Sequence, residues 1–81
     1  QAYPNPFNPT TTIQYEMPQN GNVNVSIYNV KGELVEELVD GYKNTGKYSI
    51  QWNPKNVSSG QYFYKISVDG FVQTRKMILL K

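Results

Sequence analysis

The chain of 81 residues contains no cysteine and no histidine. Without cysteine it can form neither a disulfide nor a thiolate metal site. The redox compartment stays open, because a secreted domain need not contain cystines. Without histidine it lacks the usual proton shuttle near neutral pH, the base of a Ser–His or Cys–His pair, and the commonest zinc ligand. No catalytic residue, metal site or cofactor is therefore expected, and an enzyme is the weakest functional class. No apolar run approaches the roughly 20 residues that a membrane-crossing helix needs. Eight basic residues against six acidic ones leave a net charge of +2. That excess is too small to argue for a nucleic-acid partner. No signal peptide opens the chain, and the first residue is Gln1. It is expected to be a piece of a longer protein whose export signal lies upstream.

What the chain does have is aromatic surface. Aromatic residues make up 14% of it, and seven of them are tyrosine. Tyrosine packs a flat apolar ring while keeping its hydroxyl at the edge of a core. That suits a thin sandwich, in a chain short enough to be one domain.

Apolar spacing of two, interrupted by turn residues every 8–12 positions, predicts an all-β fold. Residues 1–10 (QAYPNPFNPT) form a proline- and asparagine-rich lead-in. Each proline disfavours helix at the residue before it. Residues 10–16 read as a short strand with Thr11 on the same phase as Ile13 and Tyr15, and residues 17–21 as a turn. Residues 22–30 are the clearest strand, with Val23, Val25 and Ile27 on one face. Lys31 and Gly32 signal a hairpin. Residues 33–40 (ELVEELVD) are ambiguous: Leu34, Val35, Leu38 and Val39 fit either one side of a short helix or a strand whose phase is flipped by a bulge. Strand is preferred, since eight residues make a marginal helix. Residues 41–46 read as a loop and 47–52 as a strand facing inward through Tyr48, Ile50 and Trp52. Residues 53–60 form a turn-rich loop. Residues 61–69 place Tyr62, Tyr64, Ile66 and Val68 on one face, Gly70 turns the chain, and residues 71–80 return. The apolar end, residues 77–80, suits a strand covered on both faces or one awaiting a partner.

Five stretches, in order, carry a resemblance. They are YPNPFNPTTTIQY at 3–15, VNVSIYNVKGELV at 23–35, GKYSIQWN at 46–53, SSGQYFYKI at 58–66 and KMILLK at 76–81. Together they resemble the C-terminal sorting domains of the type IX secretion system, and also the Ig-like domain of the flagellar hook-capping protein. The resemblance spans essentially the whole chain. It implies an Ig-like antiparallel β-sandwich of about seven short strands, forming a single C-terminal sorting and anchoring domain of a larger exported protein. It implies passage through the periplasm to the cell surface or medium. The implied partners are the upstream cargo domain, the type IX machinery with its outer-membrane translocon, and a sortase-like peptidase. The marks shared with the family fall on Pro4, Asn5 and Pro6, on Gly60 and Tyr62, and on Lys76, Met77, Ile78, Leu79, Leu80 and Lys81.

Each feature also has a plainer reading. The PNPFNP lead-in stiffens the entry to the domain, with Phe7 plugging one end of the sandwich. Tyr62 and Tyr64 pack the core, while Phe63 points the other way and makes an aromatic patch if it lies exposed beside Tyr28. Trp52 suggests sugar stacking, but its phase with Ile50 and Tyr48 suggests the core. Glu33, Glu36, Glu37 and Asp40 lack calcium-loop spacing and read as a solvated strand face. Arg75, Lys76 and Lys81 either meet an acidic receptor or keep an apolar last strand soluble. Two rivals to the sorting role follow: a carbohydrate-binding module, and a terminal domain that only stabilises its neighbour.

Overall fold

The computed structural model describes residues 10–55 and 57–80 in full and Ala2 and Tyr3 by their backbone. Among these residues there are seven strands and no helix: β1 (Ala2–Tyr3), β2 (Thr11–Met17), β3 (Gly21–Asn29), β4 (Leu34–Lys43), β5 (Gly46–Trp52), β6 (Gly60–Val68) and β7 (Phe71–Leu79). They form two antiparallel sheets, ordered β1-β2-β5 and β4-β3-β6-β7. This is the all-β fold that the alternation predicts, arranged as the sandwich that the family resemblance implies.

The alternation decides which faces meet. Val23, Val25 and Ile27 of β3, and Tyr62, Tyr64 and Ile66 of β6, face Ile13, Tyr15 and Met17 of β2 and Trp52 of β5 across the layer. Met77 and Leu79 of β7 join them, each fully buried. Thr11 is buried as well, on the inward phase that it shares with Ile13.

Three connections cross between the sheets. Residues 18–20 lead from β2 to β3, residues 44–45 from β4 to β5, and residues 53–59 from β5 to β6. The first two are tied together, because the Asn20 side-chain oxygen accepts from Thr45 N–H at 2.7 Å and from Thr45 Oγ1 at 3.0 Å. The third is closed by Tyr62. Its hydroxyl donates to the Ser58 carbonyl at 2.7 Å, which is the tyrosine corner of Ig-like sandwiches. Its ring meets the edge of Trp52 at a centroid distance of 5.5 Å and an interplanar angle of 69°. The hairpin between β6 and β7 turns on Asp69 and Gly70, both with positive φ, at 45° and 90°. That is the type I′ geometry for which an Asp-Gly pair is suited. The Asp69 carboxylate also caps the start of β3 by accepting from Asn22 N–H at 3.2 Å.

The ambiguous segment is a strand. Its register against β3 slips twice, between Val25 and Ser26 and between Ile27 and Tyr28. Each slip leaves one extra residue on β4, Leu38 in the first case and Val35 in the second. The bulges explain the helix-like spacing: each re-aims an apolar side chain, and Val35, Leu38 and Val39 all pack against the core.

Several boundaries differ from expectation, and among them Gly21 opens β3 rather than closing a turn and Gly46 opens β5 rather than ending a loop. Residues 41–43 are strand rather than loop, because Gly41, Tyr42 and Lys43 pair with Val23, Asn22 and Gly21. Met17 closes β2 as a fully buried residue rather than opening a turn. Gly60 opens β6 rather than ending the preceding loop. In each case long-range pairing extends a strand into residues whose local composition favours a turn.

Two tyrosines of β6 give opposite expectations. Tyr62→Phe removes a hydrogen bond whose net worth is about 1 kcal/mol, and urea unfolding will show the loss. The Tyr64 hydroxyl is buried with no hydrogen-bond partner among the described residues. Tyr64→Phe will therefore leave stability unchanged or raise it. Burial pushes the Tyr64 hydroxyl above its usual pKa of about 10, against a smaller opposing pull from Arg75. Burial, with Tyr48 adding to it, does the same for Tyr15. These hydroxyls stay protonated longer in the folded state. Stability is thus intact below pH of about 10 and falls as pH rises through the folded-state values. Alkaline unfolding followed by circular dichroism will show this decline, and it will be shallower in Tyr15→Phe.

Candidate recognition edge and outer face

The four-stranded sheet has two unlike edges. β4 is broken by two bulges, and two of its carboxylates, with Glu33 just before it, are engaged in the fold. Glu36 accepts from Trp52 Nε1 at 3.2 Å, Glu37 from the Asn24 side chain at 2.9 Å, and Glu33 from the Asn29 side chain at 2.9 Å. Bulges and charge are the means by which sheets blunt an edge. β7 is different. It pairs with β6 through nine consecutive residues, Phe71 against Val68 to Leu79 against Gly60, with no slip. Among the described strands none lies on its other side.

Alternation along β7 divides the terminal stretch in two. Met77 and Leu79 point inward and are fully buried, while Ile78 is 39% exposed and Leu80 49%. Lys76 is exposed on the outward phase. The apolar terminal run is thus a core strand on one face and an open apolar surface on the other. At the opposite end of the strand Phe71 and Val72 are both exposed.

The outer face carries a row of side chains that runs across all four strands. Leu34 of β4 opposes Tyr28 of β3, Tyr28 opposes Phe63 of β6, and Phe63 opposes Lys76 of β7. The Lys65 ammonium sits 5.9 Å from the centre of the Tyr28 ring, a cation–π arrangement. Leu34 at the end of the row is exposed, and so is Val30 beside it. Phe63 therefore does lie beside Tyr28, half-buried, on the outward face. Lys65 was not singled out from sequence, and Leu34, read there with the apolar set of residues 33–40, lies exposed while Val35, Leu38 and Val39 pack inward. The signal for Lys65 is present in the phase opposite to the core residues, but the alignment of the row needs the register.

A family model described as a secretion system C-terminal sorting domain matches residues 1–80. The chain belongs to that family. The sorting signal is of the type IX kind, with export to the cell surface or medium as its implied destination. Comparison with curated proteins and with solved structures finds no significant match.

In this sorting domain the residues that carry the family resemblance occupy different environments. Tyr62, Met77 and Leu79 are core. Gly60, Lys76, Ile78 and Leu80 are exposed along the start of β6 and the end of β7. Pro4, Asn5, Pro6 and Lys81 lie outside the described residues, as does Phe7. Trp52 is 1% exposed and cannot serve as a sugar platform, so the residue that suggested carbohydrate binding is a core residue. Among the described residues no three carboxylates come together as a metal site.

The two phases of β7 will respond oppositely to substitution. Met77→Ala and Leu79→Ala will each destabilise the domain by about 2–5 kcal/mol, whereas Ile78→Lys and Leu80→Lys will change it by about 0.5 kcal/mol or less. Chemical denaturation of the four variants measures both effects.

Proposed function

We propose that the domain is a non-catalytic sorting signal. It directs an upstream exported cargo from the periplasm through the type IX translocon to the surface or medium, and the machinery engages it by adding a strand to β7. The observation that supports the mode of recognition is the regular, unbulged ladder of β7 beside an otherwise blunted sheet. Strand addition uses backbone hydrogen bonds and so tolerates varied sequences, which suits a signal attached to many cargoes.

The ladder indicates which groups a partner would use. Where an antiparallel hairpin closes on a two-residue turn, the residues flanking the turn exchange both hydrogen bonds, and every second pair does so after them. Counting from Val68 and Phe71, the backbone groups of Val72 and Thr74 aim away from β6. Removing residues 77–81 would be a poor test, because it strips Met77 and Leu79 from the core.

The test fuses residues 1–81 behind a periplasmically exported fluorescent reporter in a bacterium with a working type IX system. Reporter at the surface or in the medium, absent from a secretion-deficient strain, is the expected result. Val72→Pro and Thr74→Pro delete outward N–H groups while sparing the bonds to β6. Each will trap a folded reporter fusion inside the cell. Undiminished export of either folded variant would eliminate strand addition at this edge.

A further inference from the structure

The two edges of the four-stranded sheet carry opposite charge. β4 holds Glu36, Glu37 and Asp40 against Lys43 alone, with Glu33 just before it. β6 and β7 hold Lys65, Arg75 and Lys76 and no carboxylate. Arg75 and Lys76 are neighbours on β7, so one stands on each face of the strand, and both side chains are exposed.

Apolar side chains flank this pair. Val72 and Ile78 are exposed on the outer face. Phe71 is 82% exposed, although it lies on the same phase of β7 as the fully buried Met77 and Leu79. Beside Phe71 is a groove of about 450 Å³, lined also by Tyr15, Pro18, Ile66 and Val68. Tyr15 is held at the groove by stacking on Tyr48, at a centroid distance of 5.3 Å.

A second copy of the chain suits this edge poorly. Antiparallel self-pairing centred on Arg75 sets Phe71 against Leu79 and Val72 against Ile78, which matches apolar groups, but it also sets Arg75 against Arg75. Moving the centre to Thr74 parts the arginines and sets Lys76 against Val72. No register supplies a carboxylate to either cation, because β7 has none. The edge that does have carboxylates, β4, is bulged.

We infer that the strand added to β7 is acidic at its centre and apolar at its ends, with carboxylates beside Arg75 and Lys76 and apolar side chains beside Phe71, Val72 and Ile78. The inference rests on the strand-addition reading above and names the chemistry of that partner. Directly opposed residues share a face. The partner residue beside Lys76 therefore meets the ammonium on the outer face, between apolar contacts at Val72 and Ile78. The partner residue beside Phe71 reaches the groove, whose lining favours an apolar side chain. The backbone ladder supplies affinity, and these side chains supply selection. Complementary charge across the contact also speeds encounter and rejects basic strands.

The test uses the reporter fusion and two fluorescent peptides. One is Val-Thr-Glu-Glu-Thr-Thr-Val-Leu, which pairs antiparallel with residues 78 to 71, and the other has lysine in place of both glutamates. Fluorescence anisotropy is expected to show the glutamate peptide binding about tenfold more tightly, with the preference shrinking as salt rises. In Arg75→Glu/Lys76→Glu the preference is expected to invert, which misfolding cannot produce. Export of the folded double variant is expected to fall about tenfold. Normal export of that variant while Val72→Pro is trapped would overturn the acidic partner and leave strand addition standing. Equal binding of the two peptides, or binding of neither, would overturn it. So would binding of the glutamate peptide that Val72→Pro leaves unchanged, because charge attraction without a ladder would then account for it. Dimerisation of the fusion that excludes the peptide would also overturn it, by assigning the edge to a second copy.

Discussion

The fold depends on how 81 residues without a disulfide, and without a helix among the described residues, hold two sheets face to face. The central device is the meeting of Trp52 and Tyr62. Trp52 ends β5 in one sheet, and Tyr62 stands near the start of β6 in the other. Their edge-to-face contact spans the layer at the point where residues 53–59 change sheets. The Tyr62 hydroxyl pins that crossing to the Ser58 carbonyl, and the indole N–H reaches Glu36 on β4. One aromatic pair thus couples the core, the crossing loop and the outer strand of the larger sheet. Aromatic pairs of this geometry add about 0.5–1.5 kcal/mol beyond the area they bury. That matters in a domain whose size limits how much surface it can hide.

A sandwich of this kind has edges, and this one treats them unequally. β4 spends two bulges and the carboxylates of Glu36 and Glu37 on closing its side of the sheet. β7 keeps a straight ladder with apolar side chains on both faces. A straight apolar edge invites aggregation, and natural proteins usually suppress it. Its persistence in a sorting domain is consistent with an edge that is used. Arg75 and Lys76 provide charge in the middle of the strand, as gatekeepers do.

Much of this was legible in the sequence because sheet faces are written at a period of two. Val23, Val25 and Ile27, and Tyr62, Tyr64 and Ile66, could be assigned to the core without knowing their partners. The turns at Gly32 and Gly70 were legible because positive φ favours glycine there. Residues 33–40 could be narrowed only to two readings, since a bulged strand and a short helix produce the same spacing of Val35 and Leu38. The strand reading proved correct, but with two slips in register rather than one. Residues 41–43 were misread as loop, because their glycine speaks locally for a turn while their pairing with β3 is a long-range fact.

The sequence by itself determined the all-β class, the inward faces of β2, β3, β5 and β6, and the exclusion of thiol and imidazole chemistry. These follow from residue type and from alternation along one strand, which need no knowledge of any other strand. Only the tertiary structure decided that β7 is an edge, that Leu34, Tyr28, Phe63 and Lys76 form one row, and that Trp52 is sealed by Tyr62. Each of these depends on which strands are adjacent and in what register, and adjacency is set by the packing of the whole chain rather than by any segment of it.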